Sequence, residues 1–308
     1  MFRGAVSPER YVRMAQWALW LNAAIVLTGA SVRLTGSGLG CTDWPTCEED
    51  QFVASLEYHA LIEFGNRLFT GAVGFAVIIA VLGSLRRTPR RTPLVWWSLG
   101  LVVGVLAQAI LGAFVVASHL APQMTMAHFL LSMVLLWNAT VLLEKAKVPD
   151  DEPAESPVSG APFEAWTRVR LATRVVFAAG ACLLVTGTIV TGSGPHSGSE
   201  NDLTADRLPL LVREVTRVHT ITAMLVLAAV VVVIRRAQAA GVPHVREQAM
   251  RVASLLVLQG AIGYWQYFAG VPVALVAVHI AIACLVWVQI VRLAWLAERV
   301  PTAAPVRV

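Results

Sequence analysis

Long runs of apolar residues, separated by short polar segments, dominate the 308-residue chain. The runs without charge are Met14–Val32, Leu68–Leu85, Leu94–Leu143, Val175–Ser199, Val218–Ile234 and Val252–Val291. Because a membrane-spanning helix needs about 20 apolar residues, the two longest runs are each expected to hold two helices. They break at "SHLAPQ" and "AGVP", where proline and glycine favour a turn. The pattern predicts an all-α integral membrane protein with eight transmembrane helices.

The composition and the positions of the charges support a membrane location. Only 14% of the residues are charged and 57% are hydrophobic, whereas about a quarter of an average soluble domain is charged. If the N-terminus is inside, 19 of the 24 Lys and Arg residues fall on inside segments, as expected for cytoplasmic loops. We therefore expect a cell-membrane protein with both termini in the cytoplasm, and a first helix that is not cleaved as a signal. The net charge of +5 follows from this topology and does not indicate nucleic-acid binding.

An internal repeat divides the chain into two halves. "LTGSG" at Leu34 is echoed by "VTGSG" at Val190, and a glutamine precedes a histidine by the same interval in both halves, at Gln108 and Gln259. The repeat predicts two tandem, pseudo-symmetric four-helix bundles, residues 1–143 and 172–308, joined by a cytoplasmic linker at residues 144–171. Since each half has an even number of helices, the two halves are expected to have the same orientation in the membrane.

Histidines near the predicted outer helix ends are the candidate ligands. If the helices that begin near His219 and His279 are neighbours, two imidazoles can face inward at similar depth, which suits bis-histidine heme ligation in a four-helix bundle. In the first half His128 matches His279, but Asn66 stands opposite His219, so a heme there would have one imidazole and an open sixth position. The alternative is that these histidines, with His119, are polar residues at the membrane interface. Zinc or copper would require more nearby ligands than the sequence offers.

The cysteines fall into two groups. Cys41 and Cys47 lie on the predicted oxidising side, where a disulfide can form and persist; it could be a structural staple or a redox-active pair. Cys182 and Cys284 lie in apolar helices and are expected to be packing residues. The "TGSGLG" segment before Cys41 offers backbone freedom for a close approach to a ligand.

Five motifs together carry a resemblance to a known family. "RLTGSGLGCTDWPTC", "LIEFGNR", "MAHFLLSMVLLW", "RVHTITA" and "VAVHIAIACLVW", in this order, resemble the heme A synthase family over nearly the whole chain. The resemblance implies an oxidoreductase that acts on a CH3 group. It would oxidise the C8 methyl of heme O to the formyl of heme A by successive hydroxylations and loss of water, in support of heme–copper cytochrome oxidase assembly.

The same resemblance assigns ligands. It implies a heme b on His219 and His279 in the second half, and the substrate heme O on His128 in the first half. The chain departs from the common Glu-x-x-His-Arg pattern, because Asn66 replaces that histidine between Glu63 and Arg67. His59, one turn before Glu63, is a candidate substitute.

Glu63 is the expected catalytic acid. Placed just before helix 2, on the same helix face as Asn66, its carboxylate could stabilise positive charge on the oxidised methyl or take a proton from an attacking water. The alternative is an ion pair with Arg67 that caps the helix. Arg67 and Arg217 could bind heme propionates or lipid headgroups.

Two other functions compete with the enzyme. A quinone-linked b-type cytochrome for transmembrane electron transfer would explain His219 and His279, but not Glu63 or the cysteine loop. A transporter fits the parallel repeat, but it would have helices broken within the membrane. The partners expected for the enzyme are heme O, membrane lipid, an electron acceptor and a heme O synthase. The sequence is also compatible with a homo-oligomer.

Overall fold

The computed structural model describes residues 4–41, 43–48, 53–150, 163–200 and 206–299. These residues form eight α-helices and no strand, which confirms the all-α prediction. The helices are α1 (Pro8–Leu34), α2 (Tyr58–Arg86), α3 (Thr92–Ala117), α4 (Pro122–Lys147), α5 (Phe163–Ser193), α6 (Val212–Ala239), α7 (Pro243–Phe268) and α8 (Val273–Glu298).

Seven of the eight helices are long and apolar enough to cross a membrane, and α7 is the exception among the described residues. The first turns of α7 carry several polar and charged side chains, including Arg246, Glu247 and Arg251, and its later turns carry Gln259 and Gln266. These residues lower the hydropathy of a helix that the apolar pattern alone predicts as a span.

The two predicted breaks in the long apolar runs are confirmed as turns. Between α3 and α4, His119 and Leu120 have φ values of 49° and 64°. Between α7 and α8, Gly270 and Val271 have φ values of 78° and 60°. Left-handed backbone of this kind ends a helix. Proline at the first turn of α4 then helps to start the next helix, since its fixed φ suits that position.

The helices begin and end beyond the apolar runs that predict them. α2 begins at Tyr58, well before the apolar run that starts at Leu68. α4 continues to Lys147 and α5 begins at Phe163, so the predicted boundaries at residues 143 and 171 fall inside helices. The linker residues 151–162 lie outside the described residues. Helical hydrogen bonding does not depend on side-chain hydropathy, so it continues through polar residues at the membrane boundary.

The contacts between helices form two closed rings. In the first ring α1 packs on α2, α2 on α3, α3 on α4 and α4 on α1; α5 to α8 repeat this order in the second ring. The rings meet where α4 packs on α5 and α8, and where α1 packs on α8. Within each ring, diagonally opposite helices do not contact one another in the described residues. The interior of each ring therefore lies between α2 and α4, and between α6 and α8.

Burial is unequal at the two ends of the helices. We call the end that carries the Cys41–Cys47 loop the disulfide end, and the opposite end the linker end. The loops after α1 and α5 both lie at the disulfide end, since the Gly38 N–H donates to the Gly198 carbonyl at 2.8 Å. At the linker end both rings have a packed core that includes Trp166, Met133 and Leu136.

Toward the disulfide end the ring interiors are not filled by buried side chains. In the second ring, α6 has no buried residue before Val226, α7 has none after Leu256 and α8 has none before Cys284. In the first ring, α3 has none after Leu101. Protein interiors are normally close-packed, so these two regions are the natural places for a bound group.

Candidate functional site

Four residues, one on each even-numbered helix, occupy matching positions in the two rings of helices, and we call them the ring residues. They are Asn66, His128, His219 and His279. These residues do not open their helices as expected, because α2, α4, α6 and α8 begin six to eight residues before them. All four side chains are half-buried, in the region where the rings lack a packed core.

Each of these four side chains lies against a glycine of the preceding helix. A Cβ added to the glycine would lie 3.1–4.0 Å from the ring residue. The pairs are Gly29 with Asn66, Gly112 with His128, Gly187 with His219 and Gly263 with His279. A Cβ at Gly187 or Gly263 would crowd the imidazole, whereas one at Gly29 or Gly112 would make an ordinary van der Waals contact.

A threonine beside the glycine contacts the ring residue of α2 and of α6. Thr28 donates from Oγ1 to Oδ1 of Asn66 at 2.7 Å. Thr186 Oγ1 lies 3.0 Å from Nδ1 of His219. The same Thr–Gly dipeptide thus recurs at equivalent places in α1 and α5, and orients the residue that follows on the next helix.

A glutamine supports the ring residue of α4 and of α8. Nε2 of Gln108 donates to the carbonyl of His128 at 3.1 Å, and Nε2 of Gln259 donates to the carbonyl of His279 at 2.9 Å. Nδ1 of each of these histidines is buried without a hydrogen-bond partner in the described structure. The two halves therefore share not only the spacing of glutamine and histidine but also the bond between them.

His219 and His279 lie on diagonal helices rather than on neighbours, since α6 and α8 do not contact one another in the described residues. Both side chains lie toward the disulfide end of the second ring, on helices at either side of its interior. The sequence interpretation was conditional on α6 and α8 being neighbours, and the helix contacts do not meet that condition.

Glu63 forms the centre of a polar cluster at the disulfide end of the first ring. It lies inside α2 rather than before it and is 5% exposed. Arg67 donates to its Oε1 at 2.5 Å, and the Cys41 N–H donates to its Oε2 at 2.9 Å. Arg67 also donates to the carbonyls of Asp43 and Thr46, both at 2.8 Å. Glu63 and Arg67 together hold the disulfide loop against α2.

Cys41 and Cys47 form a disulfide, which confirms that prediction. The glycines before the disulfide contact other parts of the protein, whereas the sequence suggested that they approach a ligand. A Cβ on Gly40 would collide with the backbone of His59, and one on Gly36 would lie 3.1 Å from the carbonyl of Ser199. Gly36 also has a φ of 69°. The loop therefore packs on α2 and on the loop after α5.

The remaining candidate residues have ordinary partners. His59 bonds through Nδ1 to Ser37 at 2.9 Å, and His119 is exposed in the turn between α3 and α4. Arg217 pairs with Glu214 at 2.9 Å. Cys284 is buried as expected, but Cys182 is exposed, so it is not a packing residue. No cluster of three or more His, Cys, Asp or Glu that could hold a metal occurs within the described residues.

Sequence reasoning missed Thr28, Thr186 and the four glycines. The signal was available, because the Thr–Gly dipeptide occurs on α1 and on α5 before the helix that carries the ring residue. It was obscured by the more obvious "TGSG" echo, whose two copies are not equivalent in structure. Gly36 lies in the loop after α1, whereas Gly192 lies within α5.

A family model supplies the relation to known proteins. The model of COX15-CtaA, cytochrome oxidase assembly protein, matches residues 13–291. The chain belongs to this family. With seven helices apolar enough to span a membrane, this family member is a multi-pass membrane protein.

Individual relatives match over shorter segments. The chain is 31% identical over 106 residues to "Heme A synthase" of Geobacillus thermodenitrificans, covering 34% of this chain and 32% of the relative. It is 31% identical over 130 residues to "Heme A synthase" of Shouchella clausii, covering 42% and 43%. It is 32% identical over 127 residues to "Protoheme IX farnesyltransferase" of Thermus thermophilus, covering 41% and 21%. The chain thus spans about a third of the first of these relatives.

Proposed function

We propose that the protein is a heme A synthase, an oxidoreductase that converts the C8 methyl of heme O into the formyl group of heme A. The observation that carries the proposal is that the two ring interiors lack buried side chains on several of their helices toward the disulfide end, and that each is flanked by residues suited to hold a heme. Family membership and the relatives named heme A synthase support the same function. In the cell, the product would supply heme–copper cytochrome oxidase assembly.

The second ring would hold a heme b between His219 and His279. The residues fit this group: the two imidazoles lie on diagonal helices, a glycine of the preceding helix lies beside each imidazole, and α6 and α8 have no buried side chains toward the disulfide end. A heme b held by His219 and His279 would supply one-electron transfer. The contribution of the protein is to hold the two imidazoles at matching depth and to exclude water.

The first ring would bind the substrate heme O, with His128 as the single imidazole ligand. Opposite His128 lies Asn66, whose amide does not replace an imidazole as an iron ligand. One side of the substrate is therefore left free of a strong protein ligand. This is the arrangement expected of a site where chemistry occurs, in contrast to the closed pair of histidines in the second ring.

Glu63 is the proposed catalytic carboxylate. It lies one turn from Asn66, on the same face of α2, and Arg67 and the Cys41 N–H fix both of its oxygens. A carboxylate held in this way stabilises positive charge that develops on the methyl carbon, and it accepts a proton from attacking water. Methyl oxidation also releases electrons, which pass to an acceptor in the membrane. The same contacts would also suit a Glu63 that only holds the loop in place, and the experiments below distinguish this structural role from the catalytic one.

Arg67 and Arg217 differ in how many of their hydrogen-bond donors are available to bind a heme propionate. Most donors of Arg67 are engaged by Glu63 and the loop carbonyls, so propionate binding there would require shared hydrogen bonds. Arg217 is exposed and pairs only with the exposed Glu214 among described residues, so it is free to exchange that partner for a propionate or a lipid phosphate.

The arrangement in the membrane and the partners belong to the same proposal. We place both termini in the cytoplasm of the cell and the disulfide loop outside, with the two rings as tandem, pseudo-symmetric bundles. A heme O synthase is the proposed donor of substrate, because a hydrophobic heme transfers poorly through water. The match to a Thermus protein named protoheme IX farnesyltransferase supports this link.

Pigment analysis tests the function. The full chain is expressed with a source of heme O, and its hemes are extracted and separated for wild type, His219→Ala, Glu63→Ala and the control His244→Ala, which changes an exposed histidine at the linker end. We expect heme B with some heme A in wild type and in the control, loss of heme B in His219→Ala, and accumulated heme O in Glu63→Ala. Two hemes B per chain, unaffected by Glu63→Ala, would instead identify an electron-transfer cytochrome.

A further inference from the structure

Thr186 contacts His219 in a way that decides which ring nitrogen carries the proton. Its Oγ1 lies 3.0 Å from the Leu183 carbonyl and 3.0 Å from Nδ1 of His219. A hydroxyl has one proton to donate, and a carbonyl can only accept. Since helical threonine commonly donates to a carbonyl of the preceding turn, the Thr186 proton goes to Leu183, and its oxygen remains as an acceptor for His219.

The acceptor role of Thr186 Oγ1 decides the tautomer of His219. An acceptor then lies beside Nδ1, and neutral imidazole has one N–H and one lone pair. The proton therefore belongs on Nδ1, and the lone pair on Nε2. Coordination to a metal through Nε2 requires this tautomer.

The other histidine of the second ring lacks such a group. Nδ1 of His279 is buried without a hydrogen-bond partner in the described structure. A Cβ added to Gly263 would lie 3.6 Å from this Nδ1. The two proposed ligands of one heme thus differ, because the fold fixes the tautomer of one and leaves that of the other open.

We infer that Thr186 is a positioning residue, which together with the Leu183 carbonyl holds the proton of His219 on Nδ1 so that Nε2 presents its lone pair to a heme iron between α6 and α8. This inference rests on the proposed function of the second ring. A hydrogen bond from Nδ1–H to an acceptor makes the imidazole a more basic ligand. A more basic ligand favours ferric over ferrous iron, so Thr186 lowers the midpoint potential of the heme.

In the first ring a threonine also contacts the residue on the next helix, but there it donates its proton instead of accepting one. Thr28 Oγ1 lies 3.2 Å from the Ile25 carbonyl and donates to Oδ1 of Asn66 at 2.7 Å. This bond occupies the amide oxygen, which is the atom of Asn66 that could bind a metal. The amide N–H groups of Asn66 remain available as hydrogen-bond donors. The recurrence of the threonine in both halves shows that its contact with the ring residue is a feature of the repeat.

Substitution of Thr186 tests the inference through the heme itself rather than through activity. The full chain is purified as wild type, Thr186→Val, Thr186→Ser and Thr188→Val, and heme content, the electron paramagnetic resonance spectrum and the midpoint potential are measured. Thr188 is the matched control: it lies on the same helix and bonds back to the Val185 carbonyl at 2.7 Å, with no histidine among its partners in the described residues.

We expect Thr186→Val to keep the heme but to shift its ferric–ferrous preference about tenfold, which raises the midpoint potential by about 59 mV for a one-electron couple. Thr186→Ser and Thr188→Val are expected to match wild type. A Thr186→Val protein with bound heme and an unchanged potential and spectrum would overturn the inference while leaving the proposed function intact. Wild-type protein without heme B would overturn both. A shift of equal size in Thr188→Val would show a general effect of packing and would also overturn it.

Discussion

The two rings share a framework but differ in the residues that face their interiors. Both have a glycine behind each ring residue, a threonine on the first helix and a glutamine bonded to the carbonyl of the last histidine. The second ring has two imidazoles, His219 and His279, whereas the first has His128 opposite Asn66. The first ring also carries the Glu63–Arg67 pair and the disulfide loop. The shared framework therefore accounts for the proposed binding of a heme in each ring. The differences account for the proposed oxidation of the heme in the first ring only.

Removal of one histidine from each ring should separate the two roles most strongly. His219→Ala removes one of two strong ligands of the proposed heme b, and we expect the heme B content to fall by about tenfold or more. His128→Ala should leave heme B in place and abolish heme A formation. Heme extraction and chromatography measure both. Loss of heme B in both variants would show that the rings do not bind hemes independently.

Glu63 gives the next largest effect, because general acid–base groups typically contribute about 10²- to 10⁴-fold to a rate. Glu63→Gln keeps the size of the side chain and an oxygen that can accept the Cys41 N–H, but it removes the charge. We expect heme A formation to fall by about this factor while heme O remains bound. The ratio of heme A to heme O in purified protein measures the change.

The comparison for Glu63→Gln is Arg67→Lys, which keeps a positive charge beside Glu63 but loses the fork of bonds to the loop. A catalytic carboxylate predicts a much smaller loss in Arg67→Lys than in Glu63→Gln. Equal losses of activity together with loss of bound heme O in both variants would indicate that Glu63 serves only to hold the loop.

Asn66→His should convert the first ring into a copy of the second. Gly29 provides the space that Gly187 provides for His219, and Thr28 is placed to accept Nδ1–H as Thr186 does. We expect the heme O site to gain a second imidazole and to change from high spin to low spin, with slower heme A formation because the open side is closed. Optical and electron paramagnetic resonance spectra measure the spin state. A high-spin site in Asn66→His would show that residue 66 does not face the substrate iron.

The hydrophobic pattern was sufficient to predict all eight helices and both internal turns, because span length and Gly/Pro breaks depend on local sequence. It was not sufficient to predict which helices are diagonal, since that depends on packing between distant segments. The pairing of His219 with His279 was therefore made conditional on neighbouring helices. The same limit applies to Glu63: its spacing from Arg67 predicts an ion pair, but the bond to the Cys41 N–H depends on how the loop folds over α2. The Thr–Gly dipeptides became meaningful only when the residue facing them was known.

The smallest expected effect concerns the glycines behind the imidazoles. A Cβ at Gly187 would lie 3.1 Å from Cε1 of His219, whereas one at Gly260 would meet nothing within 4 Å. Gly187→Ala should therefore displace the imidazole and destabilise the protein by about 1–3 kcal/mol. Gly260→Ala should be neutral or stabilising by up to about 1 kcal/mol, because alanine is the better helix former. Thermal unfolding in detergent, followed by the heme absorbance, measures both. If the two substitutions had equal effects, the close approach of α5 to His219 would not contribute to the site, and the shared glycine framework of the two rings would have to be attributed to helix packing alone.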